Sequence, residues 1–218
     1  MPHPHFARRQ SGFTLIEIAI VLVIIGLLLG GILKGQELIN SARVKNLATD
    51  FRNIPVFIYG YQDKFKALPG DDKAAVTHVG TTTFTPGAGN GDGIIGGNWN
   101  DPATATTSES VLFWQHIRAA GLAPGPTDLA AGDFAPNNAL GGRIGIQSAK
   151  PFTSMNSGTY FICSAGISGK FAKQLDSQLD DGVANPGSMQ SGLTADGTTT
   201  ASATALDDAT TYTVCMGI

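Results

Sequence analysis

A chain of 218 residues, 42% hydrophobic and only 14% charged, is long enough for one membrane-crossing helix and one soluble domain of ordinary size. Its 14 basic and 17 acidic side chains leave a net charge of −3, which excludes a strongly basic, phosphate-seeking protein. Twenty-eight glycines argue for a domain rich in turns and loops rather than a bundle of helices.

The first residues, Met1–Gly12, read as a short leader carrying Arg8 and Arg9, with His3 and His5 as incidental neighbours rather than a metal pair. Phe13 to Leu33 follows, a run of twenty-one residues whose only charge is Glu17. As a helix rising about 1.5 Å per residue it spans roughly 30 Å, the thickness of a bilayer core. The basic flank stays in the cytoplasm and sends the rest of the chain outward. An acid inside such a run costs about 2.5 to 3.5 kcal/mol on insertion scales, so Glu17 needs a partner or a task. A cut between Gly12 and Phe13 would supply the partner: a new α-amino group one turn from Glu17, which the carboxylate of a neighbouring copy could neutralise. Two alternatives stand beside this, a secretory signal and an uncut anchor. The first fits poorly, because Gly30 to Gly35 offers no small-x-small cleavage site after the apolar run.

The run Gly12, Phe13, Thr14, Leu15, Ile16, Glu17 behind a basic leader resembles the cleavage and N-methylation signal of type IV prepilins and the related pseudopilins. The resemblance implies that a membrane aspartyl peptidase cuts after Gly12 and methylates Phe13, and that Glu17 is the assembly carboxylate. It also implies an α+β, type IV pilin-like fold in which a long N-terminal α-helix packs on a C-terminal antiparallel β-sheet domain. The chain then divides into a cleaved leader (1–12), a transmembrane and assembly helix (13–33), the outer half of the long helix (34–68) and a globular domain (69–218). Relatives often carry a helix-breaking proline where this chain has Lys34, flanked by Gly30, Gly31 and Gly35. Without the leader, 12 basic and 17 acidic side chains remain, a side-chain charge of −5.

Beyond the membrane segment, Val44, Leu47, Phe51, Ile54, Ile58, Tyr61, Phe65 and Leu68 recur at steps of three and four. This apolar stripe predicts a helix laid on the domain core, with a coiled coil as the alternative. Pro55 is expected to kink or break it, for want of an N–H to bond back to Phe51, and Leu68-Pro69-Gly70 to end it. An irregular segment from Asp71 to about Thr107 holds GAGNGDGIIGG, in which Asn90 and Asp92 resemble half of a calcium loop. Position 88 is alanine and no closing acid follows, so a Gly/Asn turn is the competing reading. Thr106 with Glu109 has the pattern of a capping box opening a short helix that Gly121 can end. His116 and Arg118 on that helix have no nucleophile or second base near them in sequence and are expected at the surface.

Arg143 to Ser148, Thr159 to Ser164 and Thr211 to Met216 have the alternation of strands and predict an antiparallel sheet. Cys163 and Cys215 sit near the ends of two of them, on the outward side of the membrane, which suits a disulfide enclosing Ser164 to Val214; a pair of buried thiols is the alternative. Within that loop Ala172 to Asp181 can form a helix, and the spacing of Asp176, Asp180 and Asp181 brings carboxylates together as a second calcium candidate beside ordinary turn acids. The chain has no G-x-S-x-G, P-loop or C-x-x-C, and a non-enzymatic protein with no required cofactor is expected.

What the resemblance implies is a structural subunit of a pilus-like filament. It would wait in the inner membrane as a precursor, be processed by the prepilin peptidase/methyltransferase, and be assembled with copies of itself and other pilin-like subunits by an inner-membrane platform and its ATPase. The filament would then be periplasmic or extracellular. A type II secretion pseudopilin is one alternative, and the cysteine pair leans away from it because major pseudopilins generally lack one. A DNA-binding minor pilin is another, and from Ala74 onward 5 basic against 11 acidic side chains, a net of −6, work against it. A membrane-tethered protein that never assembles is a third.

Overall fold

The computed structural model describes residues 12, 14–81, 85–194 and 202–218. The leader before Gly12, and Phe13, lie outside the described residues. The chain forms two compact units, the first ending at Ser41 and the second running from Ala42 to Ile218. Helix α1, Leu15–Phe65, passes through both.

In the first unit every residue from Leu15 to Leu33 is exposed. A sequence apolar on every side but for Glu17 gives a helix no preferred inner face, and here no side of it is covered. The span is long and apolar enough to cross a membrane.

In the second unit the pattern changes from uniform to striped. Val44, Leu47, Phe51, Ile54, Ile58 and Tyr61 are buried, and Arg43, Lys45, Asn46 and Arg52 are exposed, as a 3.6-residue period dictates. The stripe is therefore core within the chain. Pro55 does not break the helix: it sits inside α1, where burial of Phe51, Ile54 and Ile58 on either side holds the turn that its missing N–H weakens. The helix ends earlier than Leu68. After Phe65, Lys66 adopts a left-handed conformation at φ 55° while its N–H still bonds the Gln62 carbonyl, closing the last turn.

Two short helices follow, α2 (Ala75–Val79) and α3 (Glu109–Ala119), then β1 (Ile144–Gln147), β2 (Phe161–Ser168), α4 (Gly169–Leu179), β3 (Met189–Gly192) and β4 (Thr211–Gly217). The strands form one antiparallel sheet in the order β1-β2-β4-β3. Alternation along β2 and β4 sorts their side chains by face. Ile162, Ile167, Tyr212 and Val214 join the main core with the α1 stripe and with Val111, Phe113 and Ile117 of α3. Phe161, Cys163 and Cys215 join a smaller cluster with Trp99, Phe152 and Met155. Cys163 and Cys215 are direct register partners and form the disulfide. Closing a loop of 52 residues contributes about 4 kcal/mol on the chain-entropy model.

Both outer strands are covered. The Ser148 N–H, just past β1, donates to the Ile95 carbonyl at 3.0 Å, and the Trp99 N–H donates to Gln147 Oε1 at 2.8 Å. On β3, the Ser191 carbonyl accepts the Ala203 N–H at 2.7 Å.

Candidate functional site

The start of α1 is built by two residues that read each other. Thr14 is the cap: its N–H donates to Glu17 Oε2 at 2.8 Å, its hydroxyl donates to the same oxygen at 2.6 Å, and the Glu17 N–H returns to Thr14 Oγ1 at 3.3 Å. This is a capping box, in which the first-turn donors of a helix are met by its own side chains. The T-x-x-E signal of this box is plain in the sequence. Both Thr14 bonds fall on Oε2, so among the described residues Oε1 carries no hydrogen bond. Gly12, two residues before the cap, is exposed.

In the second unit Asn90 and Asp92 lie where the glycine-rich segment turns over two buried carboxylates, Asp71 and Glu109. Asp71 Oδ1 accepts the Gly91 and Asp92 N–H groups at 2.5 and 3.1 Å, and Oδ2 accepts the Gly93 N–H at 2.7 Å. Glu109 accepts the Asn90 and Gly96 N–H groups at 3.0 and 2.8 Å, one on each oxygen. Five backbone donors thus balance two acids. Asn90 and Asp92 themselves bond the N–H two residues on, each at 2.8 Å, which shapes the turn. Glycine is needed in this region for close approach: a Cβ at Gly89 would collide with the Asp71 backbone. The pairing of Asp71 and Glu109 with this segment is not legible in the sequence, because their partners lie 13 to 22 residues away. The sequence pattern also places Glu109 in a capping box with Thr106, whereas α3 begins at Glu109 behind Ser108, whose hydroxyl goes to Asp101.

His116 and Arg118 are not at the surface; both are buried. They pin loops to α3. His116 Nδ1 accepts the Gly70 N–H at 2.9 Å, which puts the ring proton on Nε2, 2.7 Å from the Gly87 carbonyl. Burial lowers its pKa below the ordinary 6.5, so the ring is neutral. Arg118 donates to the carbonyls of Pro124, Pro126 and Phe134 and lies over the Trp114 and Phe134 rings. Nearby, Asp72 Oδ2 accepts the Tyr61 hydroxyl at 2.7 Å and lies 2.6 Å from His78 Nδ1. Burial alone would raise the Asp72 pKa, but these bonds and the Ala74 N–H hold it below the ordinary range. Every one of these groups is used for fastening, and none presents a free nucleophile with a base.

Asp176, Asp180 and Asp181 do come together at the end of α4, each offering an oxygen within 4.8 Å of the others. The helix spans Gly169–Leu179 rather than Ala172 to Asp181, so Asp176 is in its last turn, Asp180 is its C-cap and Asp181 follows.

Residues 7–33 match the prokaryotic N-terminal methylation motif, the type IV prepilin-type signal. No curated protein matches the chain. The match takes in residues 7–12 with Arg8 and Arg9, the Gly12–Phe13 junction, the Thr14–Glu17 cap and the apolar half of α1, and it fits the long N-terminal helix and antiparallel sheet domain of a pilin-like fold.

Proposed function

We propose, on the premise of the prepilin-type signal at residues 7–33, that the chain is the precursor of a subunit of a type IV pilus-like filament, cut after Gly12, methylated at Phe13 and assembled by helix packing. The observation that carries this reading is the pairing of the signal with an uncovered apolar helix half that contains one acid. Such a surface is satisfied in two successive solvents, lipid before assembly and neighbouring helices after it. Glu17 links the two states. In the anchored precursor its charge is shared with the Thr14 N–H and hydroxyl; in the filament Oε1 takes the Phe13 amine of an adjacent copy, and the pair fixes register.

The partners are the prepilin peptidase/methyltransferase, an inner-membrane platform with its ATPase, and other pilin-like subunits. The protein acts as a structural subunit and not as an enzyme. The Cys163–Cys215 disulfide favours a pilus over a secretion pseudopilus, and an acidic second unit disfavours DNA binding by charge.

The deciding experiment is the intact mass and N-terminal sequence of protein isolated from its native cells. A chain beginning at methylated Phe13 is expected. A chain beginning at Met1, or cut beyond Leu33, would overturn the filament reading.

A further inference from the structure

The end of α4 concentrates negative charge where a helix tolerates it least. The C-terminal carbonyls carry the negative end of the helix dipole, and a basic residue in the last turn is the usual remedy. Helix α4 has none there; instead it ends in Asp176, Asp180 and Asp181. Lys173, one turn earlier, is drawn away to Asp208 at 2.8 Å.

Asp176 is 1% exposed. Its Oδ1 accepts the Gly182 N–H at 2.8 Å, while its Oδ2 is buried with no hydrogen-bond partner among the described residues. A buried carboxylate oxygen without a donor is costly and asks for a cation or a proton. The other two acids are already steadied by backbone: Asp180 Oδ2 accepts the Met189 N–H and Asp181 Oδ1 the Val183 N–H, both at 2.8 Å. The contrast with Asp71 and Glu109 is direct, since all four of their carboxylate oxygens are met by backbone donors.

We propose that Asp176, Asp180 and Asp181 bind one calcium ion, which closes the turn after α4. The donors are all hard oxygens, with no His or Cys, which disfavours zinc and copper. The irregular turn suits the flexible six- to eight-fold coordination of Ca2+ better than the strict octahedron of Mg2+, with backbone carbonyls and water completing the shell.

The test uses the full chain in detergent, with Ca2+ uptake measured by equilibrium dialysis and melting followed in millimolar CaCl2, MgCl2 or EGTA. One Ca2+ per chain is expected, with a rise in Tm of about 3–6 °C over EGTA and a smaller rise in MgCl2. The double variant Asp180→Asn/Asp181→Asn, which keeps the acceptors for Met189 and Val183, should fold and lose both effects, and Asp92→Asn should keep them. Absence of Ca2+ uptake by the unaltered chain, uptake that survives in the double variant, or loss of uptake in Asp92→Asn would each overturn the proposal. A protonated Asp176 without metal would show itself as a Tm indifferent to Ca2+. The outcome is independent of the filament reading, because neither readout requires cleavage or assembly.

Discussion

The two halves of α1 share one backbone and treat apolar surface in opposite ways. From Leu15 to Leu33 the side chains, Glu17 apart, are apolar on all sides and all are exposed; from Val44 to Tyr61 the stripe of Val44, Leu47, Phe51, Ile54, Ile58 and Tyr61 is buried, while Val56 and Tyr59, off the stripe, are exposed. What differs is the periodicity, and it decides where the stabilising contacts are found. A striped helix can satisfy itself within its own chain, whereas a uniformly apolar one needs lipid or other helices. Function in the first half and stability in the second should therefore separate cleanly under mutation.

The largest effect is expected in the stripe. Phe51→Ala empties a fully buried site and should destabilise the second unit by about 3–5 kcal/mol in denaturant unfolding; a cost below about 1 kcal/mol would mean that the stripe is not core. Reducing the disulfide, or replacing both cysteines by serine, should cost about 4 kcal/mol or somewhat less. Equal melting with and without reductant would contradict that. A smaller, pH-dependent effect attaches to His116. Burial holds its folded pKa below 6.5, so the unfolded chain takes up a proton near pH 6.5 that the folded chain refuses, and stability falls as the pH drops below that value. His116→Gln, which can still accept from Gly70 and donate to Gly87, should flatten the decline in Tm between pH 7 and 5; an unchanged slope would place its origin elsewhere.

The smallest effect on stability should come from the first half. Leu22→Ala is expected to shift unfolding of the second unit by less than about 0.5 kcal/mol. Glu17→Leu should likewise leave the melting of the second unit unchanged while abolishing incorporation into filaments. Normal incorporation of that variant would count against the pairing of Glu17 with the Phe13 amine.

This contrast also explains what was legible in the sequence. The stripe, the disulfide and three of the strands were readable because each is a local pattern: a period of 3.6, two cysteines, alternation. Strand β3, Met189-Gln190-Ser191-Gly192, has no β-branched or aromatic residue and is a strand because β4 pairs with it. Pro55 does not break the helix, because that local rule lost to burial on both sides of it. Asp71, Glu109 and His116 were missed or misplaced for the converse reason, since their partners are loop backbone groups far along the chain, and a carboxylate that binds N–H groups looks in sequence like one that awaits a metal. At the candidate site the prepilin-type signal was legible as a local run of residues, while the engagement of Glu17 with Thr14 required the helix start itself.

The covered outer strands have a consequence for crowding. A sheet that ends in bare backbone is a template on which another copy can add, and copies held side by side at high local density would meet that hazard continually. Here β1 is only four residues long and is closed off by the Ile95–Trp99 segment, while β3, equally short, is met at Ser191 by Ala203. Edges this short and already engaged leave a second copy little free backbone on which to add a strand.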